Sequence, residues 1–294
     1  MKAFQLLPRF MTVLFLLAWG TILASCGGLT DNESPPPSLK VHVFNVGQGL
    51  AILFEHEGHF ALFDAGPDSI GLADTLYARG VKKLDWVLVS HWHRDHAGGL
   101  LDLSLGKNPR PAIGAILYGS DTAGVWLRDS VLFLAKKWGA SMRMVERSET
   151  WDFGKNWHFR ILWPPSYGRW GENNASTVLQ VDDGVLSALF TADLEKEGEE
   201  KLLSLSPTLH ADFLQVGHHG SSQSSTLPFL AQLAPTSAVI SVGKNNAYGH
   251  PTHSTLQKLA LILGDSTRIS RTDTQGSLFW EWAFQIGIWN RGVF

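Results

Sequence analysis

The stretch His91-Trp92-His93-Arg94-Asp95-His96 decides how this chain of 294 residues folds. It comes directly after residues 85–90, an apolar run that predicts a buried strand. Because the side chains of an extended segment alternate between two sides, the first, third and fifth residues of the stretch can converge. The sixth can reach a neighbouring ion where the chain turns into a helix. Imidazole and carboxylate groups bind divalent metals, so the stretch predicts a metal centre. The alternative is a solvated histidine-rich loop.

The segments around this stretch alternate between strand and helix patterns. The predicted strands are residues 41–46, 51–55, 60–63, 85–90, 113–118, 158–163, 178–181, 185–190, 212–216 and 238–242. The predicted helices are residues 70–79, 125–138 and 252–263. Strands first and strand–helix alternation afterwards favour a layered α/β fold in a single domain. Polar residues recur at the C-terminal ends of these strands, where α/β folds collect their sites.

Further candidate ligands follow other predicted strands. Asp64 and Asp193 each end a strand pattern, and His218-His219 follows another. Asp193 is alternatively the N-cap of a helix. Two adjacent histidines cannot both face one ion from a strand, so at most one of the pair is a ligand there.

The remaining histidines fall into two groups. His250, in Tyr248-Gly249-His250-Pro251, lies on a loop that can bring a proton donor or a phosphate contact to the site, or else serves as a structural turn residue. The others have no neighbouring ligand pattern and are interpreted as surface residues: His42, His56, His59, His210 and His253.

The metal stretch matches the motif His-x-His-x-Asp-His, and the chain therefore resembles the metallo-β-lactamase superfamily. This resemblance implies a four-layer αββα sandwich. Asp64 stands where the superfamily has a buried Asp that supports the metal loop, and Asp193 is similar to its metal-bridging carboxylate. His219-Gly220 is the better match to the last ligand motif, which leaves His218 as a catalytic or supporting candidate.

A closer resemblance is to the hydrolase domain of ComEC-type DNA-uptake proteins, over nearly all of residues 39–282. It rests on five motifs in one order: Val46-Gly47-Gln48-Gly49, the loop 90–99, His218-His219-Gly220-Ser221, Ser241-Val242-Gly243 and the segment 246–251. The chain departs from that pattern at Asn45, Leu50 and His93, where the family often has Asp. No polytopic membrane region like the ComEC channel is present in this sequence.

One ligand of the wider superfamily has no clear match. The superfamily places a further histidine of the first metal between the main motif and the bridging Asp. Only His158 is available here, in a strand pattern without a motif, and we interpret it as a surface residue rather than a ligand. ComEC-type relatives have Asn-x-x-Ser instead, matched by Asn173 and Ser176. The resemblance implies that the first metal is held less tightly and that these two residues bind a substrate phosphate.

The resemblance also implies an assignment of ligands and of catalytic residues. The implied ligands are His91 and His93 for the first ion, His96, His219 and Asp95 for the second ion, and Asp193 between the two. The implied catalytic residues are Asp95, which orients a metal-activated hydroxide, and His218 and His250. Nitrogen and oxygen ligands without thiolate suit Zn²⁺, with Mn²⁺ or Fe²⁺ as alternatives.

The sequence leaves three candidate functions. The ComEC-type resemblance implies a phosphodiesterase or nuclease acting on DNA, with single-stranded DNA as one candidate substrate, or on another phosphodiester. The net charge of −3 excludes a global basic field that would hold nucleic acid. The alternatives are a hydrolase of a lactone, a β-lactam or a phosphorylcholine ester, and a non-catalytic binding protein that retains the fold. Intact metal ligands argue against the last of these.

The N-terminal segment predicts a lipoprotein of the bacterial cell envelope. Lys2 and Arg9 precede an apolar run, and Leu23-Ala24-Ser25-Cys26 resembles a lipobox with the only cysteine of the chain. Residues 1–26 are thus predicted to be a signal peptide with a lipidated Cys26, residues 27–38 a linker, and residues 39–294 the hydrolase domain. Because Gly27 follows the cysteine, where lipoproteins of the inner membrane often resemble a pattern with Asp, the periplasmic face of the outer membrane is favoured. The alternative is an uncleaved membrane anchor.

Overall fold

The computed structural model describes residues 38–104, 107–165, 170–283 and 289–293, which belong to one compact unit, Pro36–Phe294. The predicted lipidation at Cys26 lies outside these residues. Within the described residues, no helix has the length and apolar character needed to cross a membrane.

Fifteen strands form two sheets in the described part of the chain. The strands are β1 Ser38–Val43, β2 Ala51–His56, β3 His59–Ala65, β4 Lys83–Val89, β5 Ala112–Tyr118, β6 Ser141–Met144, β7 Thr150–Phe153, β8 Trp157–Trp163, β9 Val178–Asp182, β10 Ser187–Phe190, β11 Phe213–Gln215, β12 Ser237–Ile240, β13 Ile269–Arg271, β14 Leu278–Ala283 and β15 Trp289–Val293. The first sheet has the order β15-β14-β1-β2-β3-β4-β5-β6, and the second has the order β13-β12-β11-β10-β9-β8-β7.

Both sheets change from antiparallel to parallel pairing at a single strand. In the first sheet β3 pairs antiparallel with β2 and parallel with β4. In the second sheet β10 pairs antiparallel with β9 and parallel with β11. The parallel halves leave several carboxyl ends at one edge, which is where α/β proteins place their sites.

The helices cover the outer faces of the two sheets. Their bounds are α1 Leu72–Ala78, α2 Arg94–Ala97, α3 Gly99–Asp102, α4 Val125–Trp138, α5 Lys196–Leu205, α6 Leu227–Leu233, α7 His253–Leu263 and α8 Thr272–Gln275. Helix α4 has the predicted bounds, and it ends at Gly139 because the left-handed conformation there, with φ of 73°, closes the helix at little cost for glycine.

Three hydrophobic clusters show that the fold has four layers. One lies between the sheets, where Phe54 of β2 meets Phe159 of β8 edge to face with ring centroids 5.1 Å apart. A second lies between the first sheet and α1, α3 and α4, and a third lies between the second sheet and α5, α6 and α7. Three apolar interfaces require four layers, so the predicted αββα sandwich of a single domain is confirmed.

The connection between β1 and β2 differs from the prediction. β1 ends at Val43, so the connection comprises residues 44–50 rather than the three-residue turn Gly47-Gln48-Gly49. The two strands still pair antiparallel. The longer loop reaches the polar edge of the sandwich, which a tight turn would not do.

Two of the five histidines interpreted as surface residues are buried, and for them the prediction was wrong. His42 contacts Glu55 through Nε2 at 3.0 Å, and this contact holds the pKa of Glu55 at about 2. His56 donates from Nδ1 to the carbonyl of Ser38 at 2.9 Å and packs edge to face on Trp157. Each ring is tolerated inside because at least one of its nitrogens has a polar partner. The other three, His59, His210 and His253, are exposed.

Candidate metal centre

The carboxyl ends of five strands bring the candidate ligands together. Asp64 is the second-last residue of β3, and the stretch from His91 to His96 follows β4. Asp193 follows β10, and His219 follows β11. Ser241 comes directly after β12. Because β3 and β4 belong to one sheet and the other three strands to the second, the site lies where the edges of both sheets meet.

Four side chains form a compact group, with one ligand atom of each within 4.8 Å of all the others: Asp95, His96, Asp193 and His219. The shortest separations are 3.1 Å from His96 Nε2 to Asp193 Oδ1 and 3.2 Å from His219 Nε2 to Asp95 Oδ2. Two imidazoles and two carboxylates at this spacing match the nitrogen and oxygen ligands of a divalent ion. We call this group the closed side of the centre.

His96 is held from behind by a buried carboxylate. Its Nδ1 lies 2.7 Å from Oδ2 of Asp64, a residue that is fully buried. Asp64 also accepts hydrogen bonds from the backbone N–H and the hydroxyl of Ser90, each at 2.7 Å. Because Nδ1 is engaged, Nε2 is the nitrogen that faces Asp193. A carboxylate behind a histidine ligand fixes both its tautomer and its orientation.

His219, rather than His218, lies in the closed side. The chain leaves β11 and passes through left-handed conformations at both histidines, with φ of 47° at His218 and 53° at His219. Residue His219 is buried, and its Nδ1 donates to the carbonyl of Ser241 at 2.8 Å, which turns Nε2 towards Asp95. His218 points instead along the rim, with Nδ1 at 3.0 Å from Glu195 Oε1 and Nε2 at 3.7 Å from Asp193 Oδ2.

His91 and His93 lie beside the closed side, and we call them the open side. Their ring centroids are 4.5 Å apart, and the His91 ring is 4.3 Å from that of His96. His91 is buried, and its Nδ1 lies 3.0 Å from the hydroxyl of Ser90. The side chain of His93 is 30% exposed, and its Nε2 contacts the carboxylate of Glu172 at 3.0 Å.

The residues fit a metal ion because several buried polar atoms have no hydrogen-bond partner within the protein. Among the described residues, such atoms of this cluster are His91 Nε2, His96 Nε2 and Asp193 Oδ1. The last two approach to 3.1 Å but lack the alignment of a hydrogen bond. A buried polar group without a partner costs about 1–3 kcal/mol, so three such atoms aimed into one place indicate an external partner. A divalent cation would satisfy the carboxylate and the imidazole lone pairs together.

The charges of the cluster support the same conclusion. Burial opposes the charged form of Asp193, but His96 and His219 outweigh it and hold the pKa of Asp193 well below its usual value. For His96 burial is likewise outweighed, by Asp193 and then Asp64, which raise its pKa well above 6.5. Burial, followed by repulsion from His96, keeps the pKa of His91 well below 6.5, so His91 is a neutral imidazole that can bind a cation.

The predicted substrate-binding residues lie on a short turn beside the open side. Asn173 donates from Nδ2 to Glu195 Oε1 at 2.9 Å, while its Oδ1 has no partner. Ser176 is fully buried, and its hydroxyl lies 3.3 Å from His91 Nδ1 and accepts from the N–H of Asp193 at 3.3 Å. Its position behind His91 favours support of the ligands. A phosphate contact by either residue stays a prediction.

His250 and His158 occupy different surroundings. The ring of His250 is 5.5 Å from that of His218, and its Nδ1 has no partner, so it borders the centre. Its role as a proton donor or phosphate contact stays a prediction. Burial, then repulsion from His218, lowers the pKa of His250. His158 is half exposed and contacts Asp152 at 2.8 Å, a pair on β7 and β8. The structure does not bring His158 into the metal cluster.

Three of the five motifs named above, those that contain Gly49, Asp95 and Ser241, meet behind the metal loop. Gly49 passes so close to Asp95 that a Cβ atom would lie 2.4 Å from its carbonyl oxygen, and the next residue, Leu50, donates its N–H to that oxygen at 3.0 Å. The hydroxyl of Ser241 donates to the carbonyl of Gly49 at 2.7 Å. These contacts connect the loop after β1 to the ends of β4 and β12, so three of the five motifs meet at one place.

Sequence reasoning missed two carboxylates at the rim, Glu172 and Glu195. Each is one acidic residue without a recognisable motif, and each acts through a contact to a histidine distant in sequence. The only signal available was their position beside residues already singled out: Glu172 precedes Asn173, and Glu195 lies two residues after Asp193.

The comparisons with known proteins agree with this geometry. The family model described as metallo-beta-lactamase superfamily matches residues 44–244. ComE operon protein 3 of Bacillus subtilis is 32% identical over 271 residues, which are 91% of this chain and 31% of that protein. Competence protein ComA of Neisseria gonorrhoeae is 31% identical over 293 residues, which are 98% of this chain and 38% of that protein. The chain thus spans about a third of the length of these curated relatives.

Solved structures share the fold at low identity. The metallo-beta-lactamase fold protein YhfI from Bacillus subtilis has a TM-score of 0.54 and 13% identity, covering 87% of this chain and 100% of that one. A diphosphatase of the PhnP family has a TM-score of 0.50 and 15% identity, covering 84% and 99%. With the family match and the curated relatives, they lead to one conclusion: the chain belongs to the metallo-β-lactamase superfamily, its fold is that of a metal-dependent hydrolase, and its relatives include ComEC-type competence proteins.

Proposed function

We propose that this protein is a phosphodiesterase that cleaves nucleic acid strands with the help of divalent ions. The observation that carries the proposal is the group of four ligands on the closed side, in a domain that is similar over nearly its whole length to competence proteins. Competence proteins act in DNA uptake, so a phosphodiester bond is the substrate that this similarity favours.

The six proposed ligands divide between two ions. His91, His93 and Asp193 would hold the first, and Asp95, His96, His219 and Asp193 would hold the second. When bound, such ions supply a nucleophile at neutral pH and withdraw charge from a phosphoryl oxygen. Asp95 is suited to orient the attacking group, because its carboxylate lies 3.2 Å from His219 and remains 33% exposed at the mouth of the site. Zn²⁺ suits these ligands, with Mn²⁺ or Fe²⁺ as alternatives.

His218 and His250 are the proposed proton donors to the leaving oxygen. Glu195 lies 3.0 Å from Nδ1 of His218, which leaves Nε2 on the side of Asp193. The centroid of the His250 ring lies 5.5 Å from that of the His218 ring. A group that protonates a leaving alkoxide must reach it directly or through one water, and these rings border the place where it would lie.

The rim beside His250 offers groups that suit a nucleotide. Tyr248 is 70% exposed and stacks on His250 at 5.8 Å between ring centroids. Lys244, on the same loop, is exposed. An exposed aromatic face and a cation can hold a single strand without sequence readout. They would attract nucleic acid locally, although the net charge of the chain is acidic.

We also propose that the mature protein is lipidated at Cys26 and anchored in the cell envelope at the periplasmic face of the outer membrane. The basic start, the apolar run and the lipobox-like tetrapeptide support this. Mass spectrometry of the N-terminal peptide from native membranes tests it. A Cys26 that is unmodified and still joined to Ser25 contradicts it.

The experiment for the activity is a substrate panel with the metal-loaded protein. We expect hydrolysis of bis-nitrophenyl phosphate and single-stranded DNA with Zn²⁺ or Mn²⁺, and loss of both after chelation. The Asp193→Ala protein is the control for contaminating nucleases. If no phosphodiester is cleaved but a lactone, a β-lactam or a phosphorylcholine ester is, the phosphodiesterase proposal is wrong. Inactivity on all substrates with metal bound favours a binding protein.

A further inference from the structure

Three of the four histidines proposed as ligands are held in the same way. In each ring Nδ1 faces a polar group of the buried interior: the Ser90 hydroxyl for His91 at 3.0 Å, Asp64 for His96 at 2.7 Å and the Ser241 carbonyl for His219 at 2.8 Å. In each ring Nε2 is consequently the nitrogen directed into the centre. All three residues are buried, so their orientation is fixed by the core.

His93 is the exception in both respects. Its Nε2, rather than its Nδ1, is engaged, at 3.0 Å from Oε2 of Glu172. The two residues are 79 positions apart in the sequence, and their side chains are 30% and 70% exposed. Because Nε2 is occupied by this contact, Nδ1 is the nitrogen of His93 that remains for an ion. The ring lies 4.5 Å from that of His91, whose Nε2 has no partner in the protein.

We propose that Glu172 is the positioning residue of His93 and sets the affinity of the open side for its ion. The inference rests on the metal centre proposed above. A carboxylate that accepts the ring N–H fixes the tautomer and raises the basicity of the opposite nitrogen. For His91, His96 and His219 this task falls to buried groups, whereas for His93 it falls to one exposed carboxylate on another segment. The affinity of the open side for its ion therefore depends on the position of the segment that carries Glu172.

The alternative role of Glu172 is direct coordination of the ion. The carboxylate contacts Nε2 at 3.0 Å, the ring nitrogen opposite to the one that is left for the ion. The structure therefore favours positioning. Glutamine separates the two roles, because an amide oxygen still accepts a hydrogen bond from Nε2–H but is a poor replacement for a coordinating carboxylate.

The test is a titration of the full-length protein with Zn²⁺ by calorimetry and with Co²⁺ by visible absorption, after chelation. The variants are Glu172→Ala, Glu172→Gln and His93→Ala. The matched control is Asp152→Ala, because Asp152 and His158 form the same kind of exposed pair, 2.8 Å apart, away from the ligands. We expect Glu172→Ala to weaken one of two binding steps by about 10- to 100-fold and to leave the other unchanged.

Three further results decide the proposal. Glu172→Gln should retain most of the affinity, Asp152→Ala should change nothing, and adding Glu172→Ala to His93→Ala should cause no further loss. Unchanged binding in Glu172→Ala overturns the proposal. Equal losses in the Ala and Gln variants, with a changed cobalt spectrum in both, overturn it in favour of coordination. Because the titration uses no substrate, its outcome is independent of whether the domain cleaves phosphodiesters.

Discussion

The closed and open sides of the candidate metal centre each contain two histidines, but one histidine of the open side is supported differently from the others. On the closed side, His96 and His219 are oriented by Asp64 and by the carbonyl of Ser241, inside the protein. On the open side, His93 is oriented by Glu172, which solvent reaches. Buried partners cannot move without loosening the core, whereas an exposed partner can exchange its contact for water. The closed side is therefore rigid, whereas the open side contains one adjustable histidine, His93.

The largest expected effect comes from the residue that belongs to both sides. Asp193→Ala should reduce phosphodiesterase activity by several orders of magnitude, because its carboxylate serves both proposed ions and metal assistance carries most of the chemistry. His93→Ala should have a similar effect on activity but should leave the closed side able to bind metal. Rates on bis-nitrophenyl phosphate, with metal analysis of each variant, check this. If the His93→Ala protein contains as little metal as the Asp193→Ala protein, the two sides do not bind their ions independently.

The next effect concerns His218 and His250, which belong to neither side of the centre. His218→Ala and His250→Ala should lower kcat by about 10²- to 10⁴-fold if either transfers a proton, with metal content unchanged. The loss should be smaller for a substrate whose leaving group needs no protonation. Comparing a nitrophenyl ester with a DNA strand for each variant measures this difference. Equal losses on both substrates would point to a role in binding.

Removal of the buried support should damage the closed side more than the open side, because Asp64 contacts His96 directly and His91 only through Ser90. Asp64→Asn should weaken one metal-binding step by about 10- to 100-fold, because both carboxylate oxygens accept hydrogen bonds and an amide nitrogen in place of either would face a donor. It should also lower the free energy of unfolding, since Ser90 depends on the same carboxylate. Asp102→Asn is the control: Asp102 is also buried and accepts N–H groups, those of Ile70 and Gly71, but contacts no ligand. Calorimetric titration together with urea unfolding of both variants distinguishes the two effects.

The different support of the two sides predicts two unequal affinities for metal ions in the unmodified protein. Titration after chelation should show a tighter ion on the closed side and a weaker one on the open side, separated by about 10-fold or more if the supporting contacts matter as they do elsewhere. Calorimetry with Zn²⁺ measures both steps. Two equally tight sites would mean that the open side has a ligand that we have not identified.

The smallest effect is on stability and concerns the protonated closed side. The pKa of His96 is raised above its ordinary value of 6.5, against the effect of burial, by Asp193 and Asp64; that of His219 is raised in the same way, by Asp193 and Asp95. Their contribution to stability is present below pH 6.5 and is lost as pH rises through the folded-state pKa. The lowered pKa of His91 acts only below pH 6.5, so it does not oppose this trend above that value.

Chelated protein should accordingly be less stable, and melt at a lower temperature, at about pH 8.5 than at about pH 6.5. The free energy of unfolding should fall by about 1.4 kcal/mol per pH unit wherever the folded protein keeps one proton that the unfolded chain has released. Metal-loaded protein should not show this loss, because the ions take the place of the protons. Thermal unfolding at the two pH values, with and without chelator, provides the measurement. A chelated protein that becomes more stable with rising pH would show that the carboxylates do not hold these histidines protonated.

The sequence alone determined the fold class and the main candidate ligands, because both are encoded locally. The apolar run of β4 and the stretch that follows it are adjacent in the chain, so their spacing already indicated a metal loop at the end of a strand. The bounds of α4 could be predicted because its apolar periodicity and the glycine that ends it are also local. Asp64, Asp193 and His219 were found through motifs of a few residues each.

Only the tertiary structure decided what orients those ligands. The partners of His93 and His219 lie 79 and 22 positions away, and no local pattern indicates such a contact. The burial of His42 and His56 was missed for the same reason, since it depends on which strands and side chains cover them. Metal-ligand types follow from residue chemistry, but their orientation follows from hydrogen bonds across the fold. The difference between the closed and open sides therefore appears only when both sheets are in place.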